Sequence, residues 1–145
     1  MIAPLVAAGC VVLLAGCAAA ARLLLVVVEV RGGSMLPSFA PGDRVLVLRG
    51  RPGHFRRPAS GAVIVLRMPG DALPAGGRIL MIKRVAAGAG EVVPESARPR
   101  QSAASVVPPG TLAVSADNPA GTDSRQLGFI PADHVVGRVV GRLGR

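Results

Sequence analysis

Arg78-Ile79-Leu80-Met81-Ile82-Lys83-Arg84-Val85 decides how this chain is read. Both faces of the run are apolar until Lys83. In a strand, Ile79, Met81, Lys83 and Val85 share one face, and Leu80, Ile82 and Arg84 share the other. The lysine therefore sits among side chains that expect burial. Desolvation disfavours its charged form and lowers its pKa. Lys83 is also the only lysine among 17 basic residues, the other 16 being arginine. An arginine keeps its proton inside a protein, whereas a lysine can release it. The pattern points to a neutral amine at position 83. A lysine that snorkels at a strand end is the ordinary alternative.

Outward from this run, the chain reads as β. Short β-branched segments lie between Gly and Pro punctuation at Arg44–Arg49, Ala62–Arg67, Thr111–Ser115 and His134–Val140. No long amphipathic helix and no internal repeat appears. Gly50–Ser60, which is basic, and Pro94–Gly110, rich in Pro, Ser and Arg, read as solvated connections. The first of these loops is also suited to anionic lipid. The expected architecture is a mostly β domain of antiparallel sheets behind one N-terminal transmembrane helix.

That helix is expected over residues 2–21, which carry no charge. Twenty helical residues span about 30 Å, the thickness of a bilayer core. After Arg22, the run Leu23–Val30 is β-branched and reads as a strand. The division is residues 1–28 as anchor and 29–145 as the working domain. Charge leaves the orientation open, because the positive-inside rule weakens for long translocated segments. Leu14-Ala15-Gly16-Cys17 matches a lipoprotein cleavage box. Against lipidation of Cys17, the basic leader is missing and the apolar run continues through Ala21.

Composition narrows the function further. With 145 residues there is room for one domain. Aromatic residues make up 2% of the chain, so base-stacking platforms for single-stranded nucleic acid are not expected. Both cysteines, Cys10 and Cys17, lie in the apolar N-terminal run, which leaves neither a disulfide framework nor a cysteine zinc site beyond it. Two histidines, His54 and His134, do not make a His-rich metal site, and both read as solvated or structural. The net charge of +9 suits an anionic surface, and the apolar start favours the membrane.

Two further blocks carry chemistry. Gly32-Gly33-Ser34-Met35-Leu36-Pro37 places two glycines before a serine, so that backbone N–H groups can gather near its hydroxyl. Pro41-Gly42-Asp43 then turns the chain into a strand. Asp117-Asn118-Pro119-Ala120-Gly121-Thr122-Asp123-Ser124-Arg125 is polar, and Asp123 and Arg125 are spaced for a buried salt bridge. A serine beside a neutral lysine forms a nucleophile–base pair without histidine.

Ser-Met-x-Pro with a following Gly-Asp, then Lys-Arg-Val, then Asp-Asn and Asp-Ser-Arg, in this order, resembles type I signal peptidases. The resemblance covers roughly residues 23–140. It implies a membrane-anchored Ser/Lys endopeptidase of largely β fold that needs no cofactor or metal. Its substrates would be the signal peptides of exported preproteins, with small side chains at the −1 and −3 positions. Its partners would be membrane lipid and not nucleic acid, and its catalytic domain would lie outside the cytoplasm. By motif, Ser34 matches the nucleophile and Lys83 the general base. The Ser34 N–H would serve the oxyanion. Gly32 stands where some members carry a hydroxyl as a second donor, and Gly33, Met35 and Pro37 match residues that shape the cleft. Arg84, Asp117, Asp123, Ser124 and Arg125 match the supporting network.

This chain departs from the family pattern in several places: the Gly-Asp usual after the lysine block reads Gly90-Glu91, the large β insertion of some members is missing, and the third block differs. Ala116 stands where Gly is usual before Asp117-Asn118. The block is one residue short between Asn118 and Asp123. Gly121 stands where the family often has a serine bonding the lysine, which leaves Thr122 and Ser124 as candidates to orient Lys83. A dedicated maturation protease of the same fold, a self-cleaving Ser/Lys repressor and an inactive membrane-anchored β module are the competing readings. The apolar helix and the lack of a DNA-binding helix pair speak against the repressor.

Overall fold

The computed structural model describes residues 2–50, 58–68 and 79–144. Helix α1 spans Ile2–Leu24 and leads directly into β1, Leu25–Glu29. The helix thus continues three residues beyond the expected end at residue 21, and the strand begins at Leu25 rather than Leu23. Leucine is a good helix former, so Leu23 and Leu24 extend the helix. The strand starts where the β-branched Val26-Val27-Val28 run begins. Arg22 lies in the last helical turn, where a cation meets the negative end of the helix dipole.

Six more strands follow: β2 (Arg44–Arg49), β3 (Val63–Met68), β4 (Ile79–Ala87), β5 (Thr111–Ser115), β6 (Ile130–Pro131) and β7 (Val135–Gly144). They form one seven-stranded sheet in the order β1-β2-β7-β3-β4-β5-β6, with every neighbouring pair antiparallel. The fold is therefore mostly antiparallel β with one N-terminal apolar helix. Register shifts interrupt the β2–β7, β3–β7 and β4–β5 ladders. Such bulges bend and twist a sheet.

Both faces of the central strands are covered. On one side Ile64, Leu66, Val85, Leu112, Val114 and Ile130 form a buried cluster. On the other, Val65 and Ile82 pack with Val30, Met35, Val45 and Val47. This explains why the β3 and β4 sequences are continuously apolar instead of alternating. Met35, 1% exposed, is the residue that locks the serine loop onto the core. Burying a side chain of that size contributes about 1.5–3 kcal/mol.

The connection expected as solvated at Pro94–Gly110 is packed instead. Val93 N–H donates to the Ser105 carbonyl, and Val107 N–H donates to that of Glu91. Val93 and Val107 then join Ala87 and Ala113 in a small third cluster, and Ala97 is buried beside it. Of the basic Gly50–Ser60 segment, residues 51–57, His54 among them, lie outside the described residues.

Candidate functional site

The serine loop is held from both ends. Upstream, Val30 extends the β1–β2 ladder: its N–H donates to the Asp43 carbonyl, and its carbonyl accepts from Gly42 N–H. Asp43 is fully buried; its carboxylate accepts from Ala40 N–H and from Arg142 Nη2 on β7. The Pro41-Gly42-Asp43 turn thus fixes where the chain leaves β1 for Ser34. Gly32 has φ +77°, the left-handed region that side chains rarely adopt. A serine or threonine there, as a second oxyanion donor, would be strained in this backbone.

Downstream, the loop is clamped by Asn118. Its backbone N–H donates to the Ser34 carbonyl at 3.0 Å. Its side-chain Nδ2 donates to the Gly33 carbonyl at 2.9 Å. Gly121 packs against the same loop, and a Cβ built on it would lie 3.0 Å from Ser34 Cβ and 2.7 Å from Ala116 Cβ. The hydroxyl that the family often carries at this position therefore has no room here unless its neighbours move. Asn118, Gly121 and Asp43 hold the serine loop but were absent from the set of site residues drawn from the sequence. The Asp-Asn pair is the signal for Asn118 and the Gly-Asp turn for Asp43, while no local signal marks Gly121.

Lys83 lies on β4 opposite Ile64 of β3 and is 1% exposed. Burial pushes its pKa below the usual 10.5, and the charge of Asp123 only partly opposes this. Asp123 is a weak counter-charge because its carboxylate is already engaged. It accepts from Arg125 Nε at 2.9 Å and Nη2 at 3.1 Å, and from the backbone N–H groups of Arg125 and Ala116. Burial raises the Asp123 carboxyl, but these hydrogen bonds outweigh it and hold the group below the usual carboxylate value. Asp123 also caps helix α2, Ser124–Leu127, while Gln126 returns a bond to the Asp123 N–H.

Arg84, next to Lys83, grips Asp117 through two bonds, Nε to Oδ1 at 2.8 Å and Nη2 to Oδ2 at 2.6 Å. Its Nη1 donates to the Gly61 carbonyl. The Arg84 bond, helped by the Ser38 hydroxyl, holds the Asp117 carboxyl below its usual value against the effect of burial. This pair fastens the turn that carries Asn118 to the strand that carries Lys83.

The two candidate hydroxyls differ. Thr122 is exposed. Ser124 is fully buried, and its Oγ accepts from Val114 N–H at 2.8 Å. Among the described residues no hydrogen bond joins Ser34 Oγ to Lys83 Nζ. Pairs of this kind often tighten only when substrate is bound.

A cleft of about 650 Å³ runs beside the site, lined by Val28–Gly32, Ser34 and Met35 on one wall and Leu80–Ile82 on the other. Three strands separate β1 from β4 in the sheet order, so the sheet curls to bring the two together. Both walls are open strand edges. β1 pairs only with β2, and β5 first meets β4 at Arg84. Val85 N–H donates to the Ala62 carbonyl, and its own carbonyl accepts from Gly61, so odd-numbered residues of β4 bond towards β3. By alternation, the backbone groups of Leu80 and Ile82 face the cleft. The same alternation from Val30 turns those of Glu29 and Arg31 towards it. Pro37 is exposed at the far end of the serine loop.

Among the described residues no group of three or more His, Cys, Asp or Glu side chains is arranged to hold a metal ion. Within α1, residues Val6–Leu24 are long and apolar enough to cross a membrane, and none of that window is buried against the domain. The family model described as signal peptidase, peptidase S26, matches residues 2–98 and 93–143. No curated protein matches the chain.

Proposed function

The chain belongs to the signal peptidase family, peptidase S26, and from that premise we propose that it is a membrane-anchored serine endopeptidase that removes signal peptides from exported preproteins. Ser34 is the nucleophile and Lys83 the general base. The substrate lies as an extended strand between the edges of β1 and β4, bonded by main-chain groups. Its small −1 and −3 side chains enter the cleft beside Met35 and Ile82.

Lys83, as a neutral amine, takes the Ser34 proton while Oγ attacks the scissile carbonyl. The Ser34 N–H stabilises the oxyanion. The lysine then protonates the leaving amine, and a water activated by the same amine releases the acyl group. Substrate in the cleft displaces water and desolvates the amine further. α1 anchors the chain, and the domain works on the extracytoplasmic side.

The observation that carries this reading is the burial of the chain's sole lysine, with its pKa lowered by desolvation, beside a cleft that also holds Ser34. The test is to incubate the detergent-solubilised full chain with a preprotein and locate the cut by mass spectrometry. A single cut after a small residue at the end of the leader is expected, and none with Ser34→Ala. Cleavage by a folded Ser34→Ala protein would remove Ser34 from the mechanism. No cleavage of any preprotein by the folded wild type would favour the inactive module.

A further inference from the structure

A second cavity, of about 310 Å³, is lined by Arg49, Gly50, Arg67, Asp133, His134, Val135 and Val136. His134 Nδ1 is buried there without a hydrogen-bond partner, the one such side-chain atom among the described residues. A buried ring nitrogen of this kind is met by an ordered water or by a ligand group that enters the cavity. Arg49 and Arg67 are exposed, and neither has an ion-pair partner among the described residues. Asp133 is exposed on the rim, so two guanidinium groups stand against one carboxylate. Two arginine forks and an imidazole N–H are the donors that suit a phosphate group.

The place of the cavity in the fold says where that phosphate would come from. Leu25, the first residue after α1, pairs with Leu48, and Arg49 is the next residue of β2. Arg49 pairs in turn with Gly137 near the start of β7, while Leu66, just before Arg67, pairs with Val135. The cavity thus sits at the end of the sheet where the chain leaves α1. With 23 residues, α1 spans a bilayer core of about 30 Å. Its C-terminal end therefore stands at headgroup depth.

We propose that Arg49, Arg67 and His134 form a binding site for the phosphate of an anionic phospholipid headgroup, docking the domain against the membrane at the end of the sheet where α1 joins it. Binding orients the open ends of β1 and β4 relative to the bilayer from which a signal peptide would emerge. The inference rests on α1 as a membrane anchor, but not on peptidase activity.

The test uses the full chain, ¹⁵N-labelled at histidine, in phosphatidylcholine nanodiscs containing increasing phosphatidylglycerol. His134→Gln assigns the signal. The His134 ring resonances should shift saturably with phosphatidylglycerol. Arg49→Gln/Arg67→Gln should raise the lipid fraction needed by about ten-fold or more. Inorganic phosphate added to pure phosphatidylcholine discs should do nothing. No shift, or a shift the double variant retains, overturns the site, since surface potential alone would act without the arginines. An equal response to inorganic phosphate assigns the pocket to a free anion and overturns the lipid source. A chain that stays out of the discs overturns the anchor, whatever its peptidase activity.

Discussion

β4 pairs with β3 along Ile79–Arg84 and with β5 from Arg84 to Ala87, so the two ladders overlap only at Arg84 and Val85, where Val85 still bonds to Gly61 and Ala62. The overlap holds things still. Arg84 reaches from it to Asp117, and the turn after β5 carries Asn118 to the serine loop. The stretch Ile79–Ile82, paired with β3 alone, leaves backbone donors and acceptors facing a cleft. Lys83 lies at the junction. One strand thus supplies a rigid support and an open edge on either side of the group that would do the chemistry. A general base has to be held in place while its substrate comes and goes, and a change of pairing within one strand satisfies both needs.

The largest expected effect comes from the junction. Lys83→Arg keeps the charge but cannot give a neutral base at working pH, so cleavage should fall by about 10³-fold or more. Wild-type rates should rise with pH, because the neutral amine gains population through a pKa lying below 10.5. Folding stability should follow the same sign. The unfolded chain binds the proton more tightly, so stability rises from the depressed pKa towards the ordinary one. Initial rates of peptide cleavage between about pH 6 and 10 decide the matter. Near-normal rates for Lys83→Arg would mean that position 83 needs only a positive charge, and the contrast between the halves of β4 would lose its functional meaning.

A smaller effect tests the open edge. Leu80 is exposed, and its N–H points away from β3. Leu80→Pro removes that donor and leaves the β3 ladder intact. One lost hydrogen bond to the substrate backbone should raise KM about ten-fold. kcat and the thermal midpoint should change little. A fall in the midpoint with unchanged KM would show that the edge is structural and that substrate binds elsewhere.

The strands were legible because their β-branched runs are local signals, and Arg44–Arg49 and Thr111–Ser115 coincide with β2 and β5. The burial of Lys83 was legible for the same reason, since its neighbours in sequence are apolar. What was not legible depends on distance along the chain. Asn118 bonds to Gly33 across 85 residues, and Arg142 to Asp43 across 99. No periodicity encodes either contact. Nor does any local pattern show that Gly121 is required by its approach to Ser34 Cβ, or that Val93 and Val107 pack together across a Pro-rich loop.

The smallest expected effect settles which hydroxyl matters at the supported end of the site. From the sequence, Thr122 and Ser124 were equal candidates to orient Lys83, and the structure separates them. Thr122 is exposed, so Thr122→Ala should leave stability within about 0.5 kcal/mol of wild type and cleavage almost unchanged. Ser124 Oγ is the acceptor for the buried Val114 N–H, next to Ser115, the residue that meets Arg84. Ser124→Ala leaves that N–H unpaired and should cost about 1–3 kcal/mol of stability. Its hydroxyl proton is not used in the bond to Val114, so it remains free to donate to a neutral amine. Thermal unfolding and pH–rate profiles of both variants separate support from orientation. If Ser124→Ala lowers stability but leaves the pH profile in place, Ser124 only holds β5. If the apparent lysine pKa moves as well, Ser124 also orients Lys83, and the site has replaced the hydroxyl for which position 121 has no room. A large loss from Thr122→Ala with Ser124→Ala silent would reverse this assignment and would mean that the 121–122 turn folds inward when substrate is bound.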